Sequence, residues 1–211
     1  MGSDIIWGCP NLTRTGEIRK GLYEEEELIT QPEEKPKGGN QIYFWDDVSD
    51  WSVINLMMQL RSISDSIAND KNYKTIDPIP IWIYVNSYGG DLLAGFNAMD
   101  EIINISKKVP VYTVVDGKSA SASTFINLAG TQRFMKKNSF MLIHELSSMT
   151  MGRFSDQKDH MKNMDMFMDK IKGIYEEKTN LNREELDEML THDIWLDAEK
   201  SLEYGLIDRI I

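Results

Sequence analysis

At 211 residues, 41% of them apolar, the chain is long enough for one domain with a core of its own and short for two. Its formal net charge of -11 disfavours binding to nucleic acids or to anionic membranes, because both carry negative charge. A single cysteine (Cys9), no secretion signal and no apolar run near the roughly 18 residues of a membrane span together predict a cytoplasmic protein without an internal disulfide.

Residues 1–39 differ in composition from the rest of the chain. They contain four consecutive glutamates at positions 24–27, prolines at positions 32 and 36, and the pair Gly38-Gly39. A charged segment rich in such breakers buries too little apolar surface to fold by itself. We therefore expect an acidic N-terminal arm over residues 1–39 that is partly mobile, followed by one folded domain over residues 40–211.

Apolar runs and helical periodicities alternate from Gln41 onward. The runs predict strands at 42–45, 81–85, 111–115, 140–143 and 206–211, with the third strand closing at Asp116-Gly117. The periodicities predict helices over about 52–69, after Gly90, over about 119–130, over 155–178, after Asn182 and from Asp197 to Gly205. Residues 69–80 are predicted as a loop. Strands that alternate with helices indicate an α/β domain with mostly parallel pairing.

Two of these helices carry more specific signals. Asn182 and Glu185 have the spacing of a capping box, in which each side chain binds a free amide of the first turn, and Asp197 is placed to cap the last helix. The helix after Gly90 is predicted to bury one face, which consists of Leu92, Phe96, Met99 and Ile103.

The small-residue run after Gly117 is the first candidate for chemistry. A strand runs into a turn there, and Ser119, Ser121 and Ser123 crowd the start of a helix. Serines at such a start commonly cap the helix by accepting from backbone amides. A nucleophile needs the same place, with small neighbours and unpaired amides that can bind an oxyanion. The run alone does not choose among the three serines.

A glycine pair, three histidines and one aspartate are the other candidates. Gly89-Gly90 ends a strand. Glycine at this place either allows a turn with positive φ or lets a substrate backbone lie close to its own backbone amide. His144 follows the strand 140–143, where active sites often gather, whereas His160 lies on a polar helix and His192 is expected to be exposed. Asp193 stands out because apolar residues follow it. No spacing typical of a metal site or phosphate loop occurs, so no metal or cofactor is expected.

Four segments occur in series: IYVNSYGGD at 83–91, GKSASA at 117–122, RF, NS and LIH within 133–144, and DIWLDAE followed by EYGLID within 193–208. Together they resemble ClpP, the proteolytic subunit of the Clp protease, and the likeness runs from about 41 to 211. The resemblance implies a ClpP/crotonase-like α/β fold of repeated β-β-α units. It also implies a projecting helical handle at about 150–180.

The resemblance implies a serine endopeptidase that hydrolyses peptides or unfolded polypeptides through an acyl-enzyme. Carried over residue by residue, it makes Ser121 the nucleophile, His144 the general base and Asp193 the carboxylate that orients the base. The backbone amides of Gly90 and Ala122 would form the oxyanion hole. A serine hydroxyl is a poor nucleophile until a base removes its proton, so the roles agree with the chemistry.

The family resemblance also implies a homo-oligomer of two stacked seven-membered rings, fed by an ATP-driven AAA+ unfoldase. The methionines of the predicted handle, which are Met161, Met164, Met166 and Met168, suit an interface between rings, or alternatively a core within the chain. Neither nucleic acid nor a membrane is an expected partner.

Several positions depart from the family pattern. Tyr88 stands where the family usually has proline, Ala122 where it commonly has methionine, Glu145 where glutamine usually follows the histidine, and His192 where it usually has arginine. The arm before Gly39 and the loop at 69–80 are longer than usual. These departures indicate a divergent member of the family, such as one carried by a phage.

Three alternatives stay open at this level. The chain is a catalytically silent ring or scaffold subunit, a serine–lysine peptidase in which Lys118 is the base, or an acyl-CoA enzyme of the same broad fold, which also binds a carbonyl between two amides. Retention of Ser121, His144 and Asp193 argues against the first.

Overall fold

The computed structural model describes residues 6–7, 39–69 and 79–211. The predicted N-terminal arm and the predicted loop at 69–80 therefore lie largely outside the described residues. Within the arm, the exceptions are Gly39 and a two-residue strand.

The described chain contains eight strands and six helices. The strands are β1 (Ile6–Trp7), β2 (Gln41–Phe44), β3 (Ile81–Ser87), β4 (Gly90–Asp91), β5 (Val111–Ala120), β6 (Gln132–Met135), β7 (Phe140–Leu142) and β8 (Arg209–Ile210). The helices are α1 (Asp50–Asn69), α2 (Leu92–Ser106), α3 (Ser123–Leu128), α4 (Phe154–Lys178), α5 (Arg183–Met189) and α6 (Ala198–Glu203).

Six of the strands form one parallel sheet. Its order is β2-β3-β5-β6-β8, and β7 pairs with the last three residues of β5. Every pairing in this sheet is parallel. Parallel neighbours need crossover connections, which the helices supply. The predicted α/β class with mostly parallel pairing is confirmed.

The sheet buries one face completely and carries aromatic rings on the other. On β3, Ile81, Ile83 and Val85 are fully buried, and they alternate with the half-buried Trp82 and Tyr84. The buried set joins apolar residues of α1, α2 and α3 in one core cluster. On the other face the rings of neighbouring strands stack, as Tyr43 does with Tyr84, or meet edge to face, as Trp82 does with Tyr112. Trp82 also contacts Phe134 of β6, two strands away, in a tilted arrangement.

Two predicted strand limits are wrong. The third strand does not close at Asp116-Gly117 but continues to Ala120, because Gly117 adopts a φ of 104° and the strand then pairs with β7. The last strand comprises only two residues rather than 206–211. The amides of Leu206 and Ile207 donate to the carbonyl of Ser201 within α6, so they are not available for pairing with a neighbouring strand.

The cap predictions are confirmed, and the predicted face of α2 is partly wrong. Asn182 and Glu185 form the capping box of α5, and Asp197 accepts the amide of Lys200 at the start of α6. On α2, Leu92 and Met99 are buried, but Phe96 and Ile103 are only half-buried. The buried face instead includes the small residues Ala94, Gly95 and Ala98, which allow α2 to approach α3 closely.

Helix α4 is buried only near its C-terminal end. Ile171, Ile174 and Tyr175 are its buried residues, whereas Phe154, Met161 and Met166 are all more than half exposed. The first part of the helix therefore extends away from the core. In the part of the chain that the structure describes, no helix combines the length and the apolar character needed to cross a bilayer.

A second, two-stranded sheet lies beside the main one. Strand β1 pairs antiparallel with β4, so that Ile6 is opposite Asp91 and Trp7 is opposite Gly90. Val48 forms a bridge to Gly90 from the other side. The glycine-containing strand β4 is thus flanked by backbone on both edges.

Candidate active site

Ser121 occupies a strained turn between β5 and α3. Its φ is 57°, and it is the one non-glycine residue of the described chain with a positive φ. The Ser121 amide donates to the carbonyl of Leu142, 2.9 Å away, which ties the turn to the end of β7. Helix α3 begins two residues later with Ala122 as its N-cap, so no serine side chain caps it. A residue held in such backbone is typical of functional sites.

The two neighbouring serines have a different environment. Asn127 Nδ2 donates to Ser119 Oγ over 2.6 Å, Ser119 Oγ lies 3.1 Å from Ser123 Oγ, and Ser123 Oγ donates to the carbonyl of Ala120 over 2.8 Å. Ser121 is as fully buried as Ser119 and Ser123, so burial does not separate the three serines. They differ in that Ser119 and Ser123 share this hydrogen-bond network, whereas Ser121 lies on the turn before α3.

The glycine pair packs directly against this turn. A Cβ placed on Gly89 would lie 2.5 Å from Ser121 Cβ and 2.6 Å from the Ala120 carbonyl oxygen. It would also lie 3.0 Å from the amide nitrogen of Ala122. Gly89 has a φ of 98°, which side chains rarely adopt. Glycine is therefore required here by both space and backbone conformation.

The orientation of the Gly90 amide follows from its neighbours. The Gly89 carbonyl accepts from the Val48 amide over 2.7 Å, and the Asp91 amide donates to the Val48 carbonyl over 2.8 Å. Successive peptide groups of a strand point to opposite edges. The Gly90 amide therefore points away from Val48, to the edge where Trp7 pairs. This is the edge at which an extended peptide would add to the strand.

His144 lies at the same end of the sheet as Ser121. Leu142 is opposite Ala120 in the pairing of β7 with β5, and His144 follows two residues after Leu142. The imidazole is nearly buried, and burial lowers the pKa of His144 below its ordinary value of 6.5, although Asp193 and Glu145 both act to raise it. The ring is therefore biased toward its neutral form, the form that can accept a proton.

Asp193 is brought to His144 by the loop that carries it. The Glu145 amide donates to Leu190, and Met141 and Leu196 exchange two backbone hydrogen bonds, so both ends of the loop are tied to the histidine segment. His144 Nδ1 lies 3.9 Å from Asp193 Oδ1. This distance is within the range of an ion pair but longer than a hydrogen bond. The Asp193 side chain is 57% exposed.

Three side chains form a cluster beside the glycine pair, in which Tyr88 and Trp195 are exposed and Lys118 is half-buried. The ammonium of Lys118 lies 4.1 Å from the centre of the Tyr88 ring, and the Trp195 ring meets Tyr88 edge to face at 6.4 Å. Tyr88 was recognised in the sequence only as a departure from the family. The contacts with Lys118 and Trp195 were not predicted, because the three residues are far apart in the chain.

The remaining histidines lie outside this arrangement. His160, which lies on α4, contacts Ser148 over 2.7 Å, and His192 is exposed, as expected. Sequence reasoning missed two residues that are hydrogen-bonded to the turn, one directly and one through the other. Thr124 binds the Ser121 carbonyl, and Tyr175 of α4 binds Thr124. The only sequence signal was a threonine three residues after the serine, the spacing at which a hydroxyl can reach back to a carbonyl.

A family model described as Clp protease matches residues 47–211. The chain belongs to the Clp protease family. The predicted ClpP resemblance is confirmed, and the parallel sheet with its helices agrees with the fold expected from it.

Curated members of the Clp protease family match most of the same region. The chain is 39% identical over 133 residues to ATP-dependent Clp protease proteolytic subunit 2 of Treponema denticola, which covers 62% of this chain and 66% of the relative. It is 36% identical over 134 residues to the protein of the same name in Treponema pallidum, covering 63% and 66%. The match to proteolytic subunit 1 of Chlamydia pneumoniae is 30% identical over 156 residues, covering 72% and 81%. The chain thus spans just under two thirds of the length of the Treponema relatives.

Proposed function

We propose that the chain is a serine endopeptidase subunit of a ClpP-like compartmentalised protease that hydrolyses peptides or unfolded polypeptides. Ser121 is the nucleophile, His144 the general base and Asp193 the orienting carboxylate, and the amides of Gly90 and Ala122 bind the oxyanion. The observation that carries this is the convergence of three distant segments. The nucleophile turn, the end of β7 and the loop after α5 meet at one end of the sheet.

The reaction follows from these positions. The proton of Ser121 passes to His144 as the serine oxygen bonds to the scissile carbonyl carbon, and the oxyanion is held by the amides of Gly90 and Ala122. His144 then gives the proton to the leaving amine as the C–N bond breaks and the acyl-enzyme forms. A water attacks the ester by the same route and restores Ser121. Asp193 stabilises the protonated imidazole in both steps.

The alternatives have less support. A lysine base must lose its charge, but the ammonium of Lys118 lies on the Tyr88 ring, a contact that binds the charged form. An acyl-CoA enzyme would need no imidazole beside the serine turn, whereas this chain keeps His144 buried there with a carboxylate nearby. The same arrangement argues against a silent subunit.

We further propose that the peptidase unit spans residues 40–211 and assembles in the cytoplasm into stacked rings that receive substrate from an AAA+ unfoldase. The exposed methionines at the start of α4 support its use as a handle between rings. The half-exposed aromatic rings on the sheet offer an apolar surface for a partner. Analytical ultracentrifugation of the full chain tests the assembly, and a monomer at all concentrations would contradict it.

The chemistry is tested with a fluorophosphonate probe and a fluorogenic peptide. Wild type is compared with Ser121→Ala, His144→Ala, Lys118→Ala and, as a matched control for the buried histidine, His192→Ala. We expect labelling and cleavage in wild type, His192→Ala and Lys118→Ala, and neither in Ser121→Ala or His144→Ala.

Each alternative gives a different pattern. If only Lys118→Ala and Ser121→Ala abolish cleavage, the chain is a serine–lysine peptidase with Lys118 as its base. Thioester hydrolysis that survives Ser121→Ala would indicate acyl-CoA chemistry. A folded, assembled wild type that neither labels nor cleaves would be a silent subunit.

A further inference from the structure

A buried tyrosine of α4 is hydrogen-bonded to the helix that follows the nucleophile turn. Tyr175 is fully buried, and its Oη lies 2.6 Å from Thr124 Oγ1. Thr124 Oγ1 lies in turn 2.7 Å from the carbonyl oxygen of Ser121. Two hydroxyls therefore connect α4 to the backbone of the proposed nucleophile, although Tyr175 and Ser121 are far apart in the sequence.

These two hydrogen bonds form a relay from α4 to Ser121, and the chemistry of its groups determines which atom donates in each bond. A carbonyl oxygen can only accept, so the single hydroxyl hydrogen of Thr124 is donated to Ser121. The hydrogen between Tyr175 and Thr124 must then come from Tyr175. Burial raises the pKa of Tyr175 far above its ordinary value of 10.0, so the phenol keeps its proton. The relay runs from Tyr175 through Thr124 to the Ser121 carbonyl.

The Ser121 carbonyl is held in addition by the Thr124 amide, at 3.0 Å. On the other side of the turn, Ser123 Oγ holds the carbonyl of Ala120 at 2.8 Å. Both carbonyls that flank the Cα of Ser121 are therefore fixed by hydroxyl groups. A residue with a side chain leaves a φ of 57° readily unless its surroundings hold it.

We propose that Tyr175 is a positioning residue for Ser121, acting through Thr124 to hold the left-handed backbone that aims the serine hydroxyl. The inference rests on the proposed function, because it assigns a role in the same reaction. Tyr175 touches neither substrate nor the reacting atoms. Through it, the buried end of α4 helps set the geometry of the nucleophile.

A purely structural role predicts different behaviour. If Tyr175 only fills the core beside Phe125, a change to phenylalanine would affect unfolding and leave each folded active site fully competent. If Tyr175 positions the turn, the same change lowers the turnover of each folded site. The measurement must therefore be normalised to the number of reactive serines, which titration with the fluorophosphonate supplies.

The experiment uses the full chain and compares wild type with Tyr175→Phe, Thr124→Val, Thr124→Ser and the double variant Tyr175→Phe/Thr124→Val. Thr131→Val is the matched control. It removes a threonine hydroxyl that donates to the carbonyl of Val111 over 2.8 Å, outside the nucleophile turn. Peptide kcat and KM per titrated site, the pH profile and the urea midpoint are measured for each.

We expect Tyr175→Phe to lower kcat per site by about three- to tenfold, the equivalent of one hydrogen bond, with KM and the pH profile unchanged. Thr124→Val should have an equal or larger effect, and the double variant should be no worse than Thr124→Val, because both changes break one relay. The double variant should also be more stable than Thr124→Val, which leaves a buried phenol hydroxyl without its acceptor. Thr124→Ser and Thr131→Val should keep the wild-type kcat.

Wild-type kcat per site in Tyr175→Phe, with or without a lower urea midpoint, would overturn the proposal while leaving the proposed function intact. So would independent, multiplying effects of the two single changes. An inactive, unlabelled wild type would overturn the proposed function and this inference with it.

Discussion

Gly89 offers a sharp test of how the site is built, because a single methyl group added there meets the turn that carries Ser121. An alanine Cβ would lie 2.5 Å from Ser121 Cβ and 2.6 Å from the Ala120 carbonyl oxygen. Neither atom belongs to a flexible side-chain end, so relief requires moving the backbone of the turn. The φ of 98° adds strain for any residue with a Cβ.

The magnitude for Gly89→Ala follows from these two costs. Overpacking of this kind costs about 1–3 kcal/mol, and a left-handed backbone costs about 1–2 kcal/mol more. We expect Gly89→Ala to lose about 3 kcal/mol of unfolding free energy, equivalent to roughly 10 °C in Tm for a chain of this size. The displaced turn should also abolish fluorophosphonate labelling of Ser121.

Gly173→Ala is the matched control. Gly173 lies within α4, and a Cβ there has no atom within 4 Å. Alanine in a helix interior is favoured over glycine by about 0.5–1 kcal/mol, so stability should rise or stay unchanged. Both variants are unfolded in urea at one protomer concentration and followed by tryptophan fluorescence. If Gly89→Ala unfolds at the wild-type midpoint and labels at the wild-type rate, the close packing of Gly89 on the turn is refuted.

Two further predictions concern His144 and the edge of β4. Because burial lowers the pKa of His144, the acidic limb of kcat/KM should lie below pH 6.5, and Asp193→Asn should move it lower still by removing a carboxylate that raises the pKa. Because the pKa of His144 is lower in the folded chain, the unfolded chain binds more protons just below pH 6.5, and the free energy of unfolding should decrease as the pH drops from 6.5. An acidic limb above pH 6.5 would contradict both the kinetic and the stability prediction. Since Trp7 occupies the edge of Gly90 to which a peptide strand would add, deletion of residues 1–8 should raise kcat/KM for short peptides, and unchanged or lower values would contradict a competing strand.

Local patterns in the sequence predicted most of the fold. The alternation of buried and half-buried residues on β3 and the capping box of Asn182 and Glu185 depend on neighbours a few residues away. The errors came where a distant segment intervened. Gly117 reads as the end of a strand, yet β5 continues past it because β7 offers a second pairing partner.

The candidate site was predicted by residue but not by contact. The run from Ser119 to Ser123 is locally ambiguous, and the ambiguity is reduced only where Asn127 draws Ser119 and Ser123 into a buried network. Resemblance to a family pointed to Ser121, His144 and Asp193. It did not give the 3.9 Å separation of His144 and Asp193, which depends on how one loop is tied to β7.

The sequence by itself determined the six helices, five of the eight strands of the described chain and the α/β class, because propensity, periodicity and capping act over a few residues. Only the tertiary structure decided which serine hydroxyls join the buried network of Asn127, why Gly89 must be glycine, and that Tyr175 reaches the Ser121 turn through Thr124. Those contacts join segments far apart in the chain, and they exist only after the sheet and α4 have packed together.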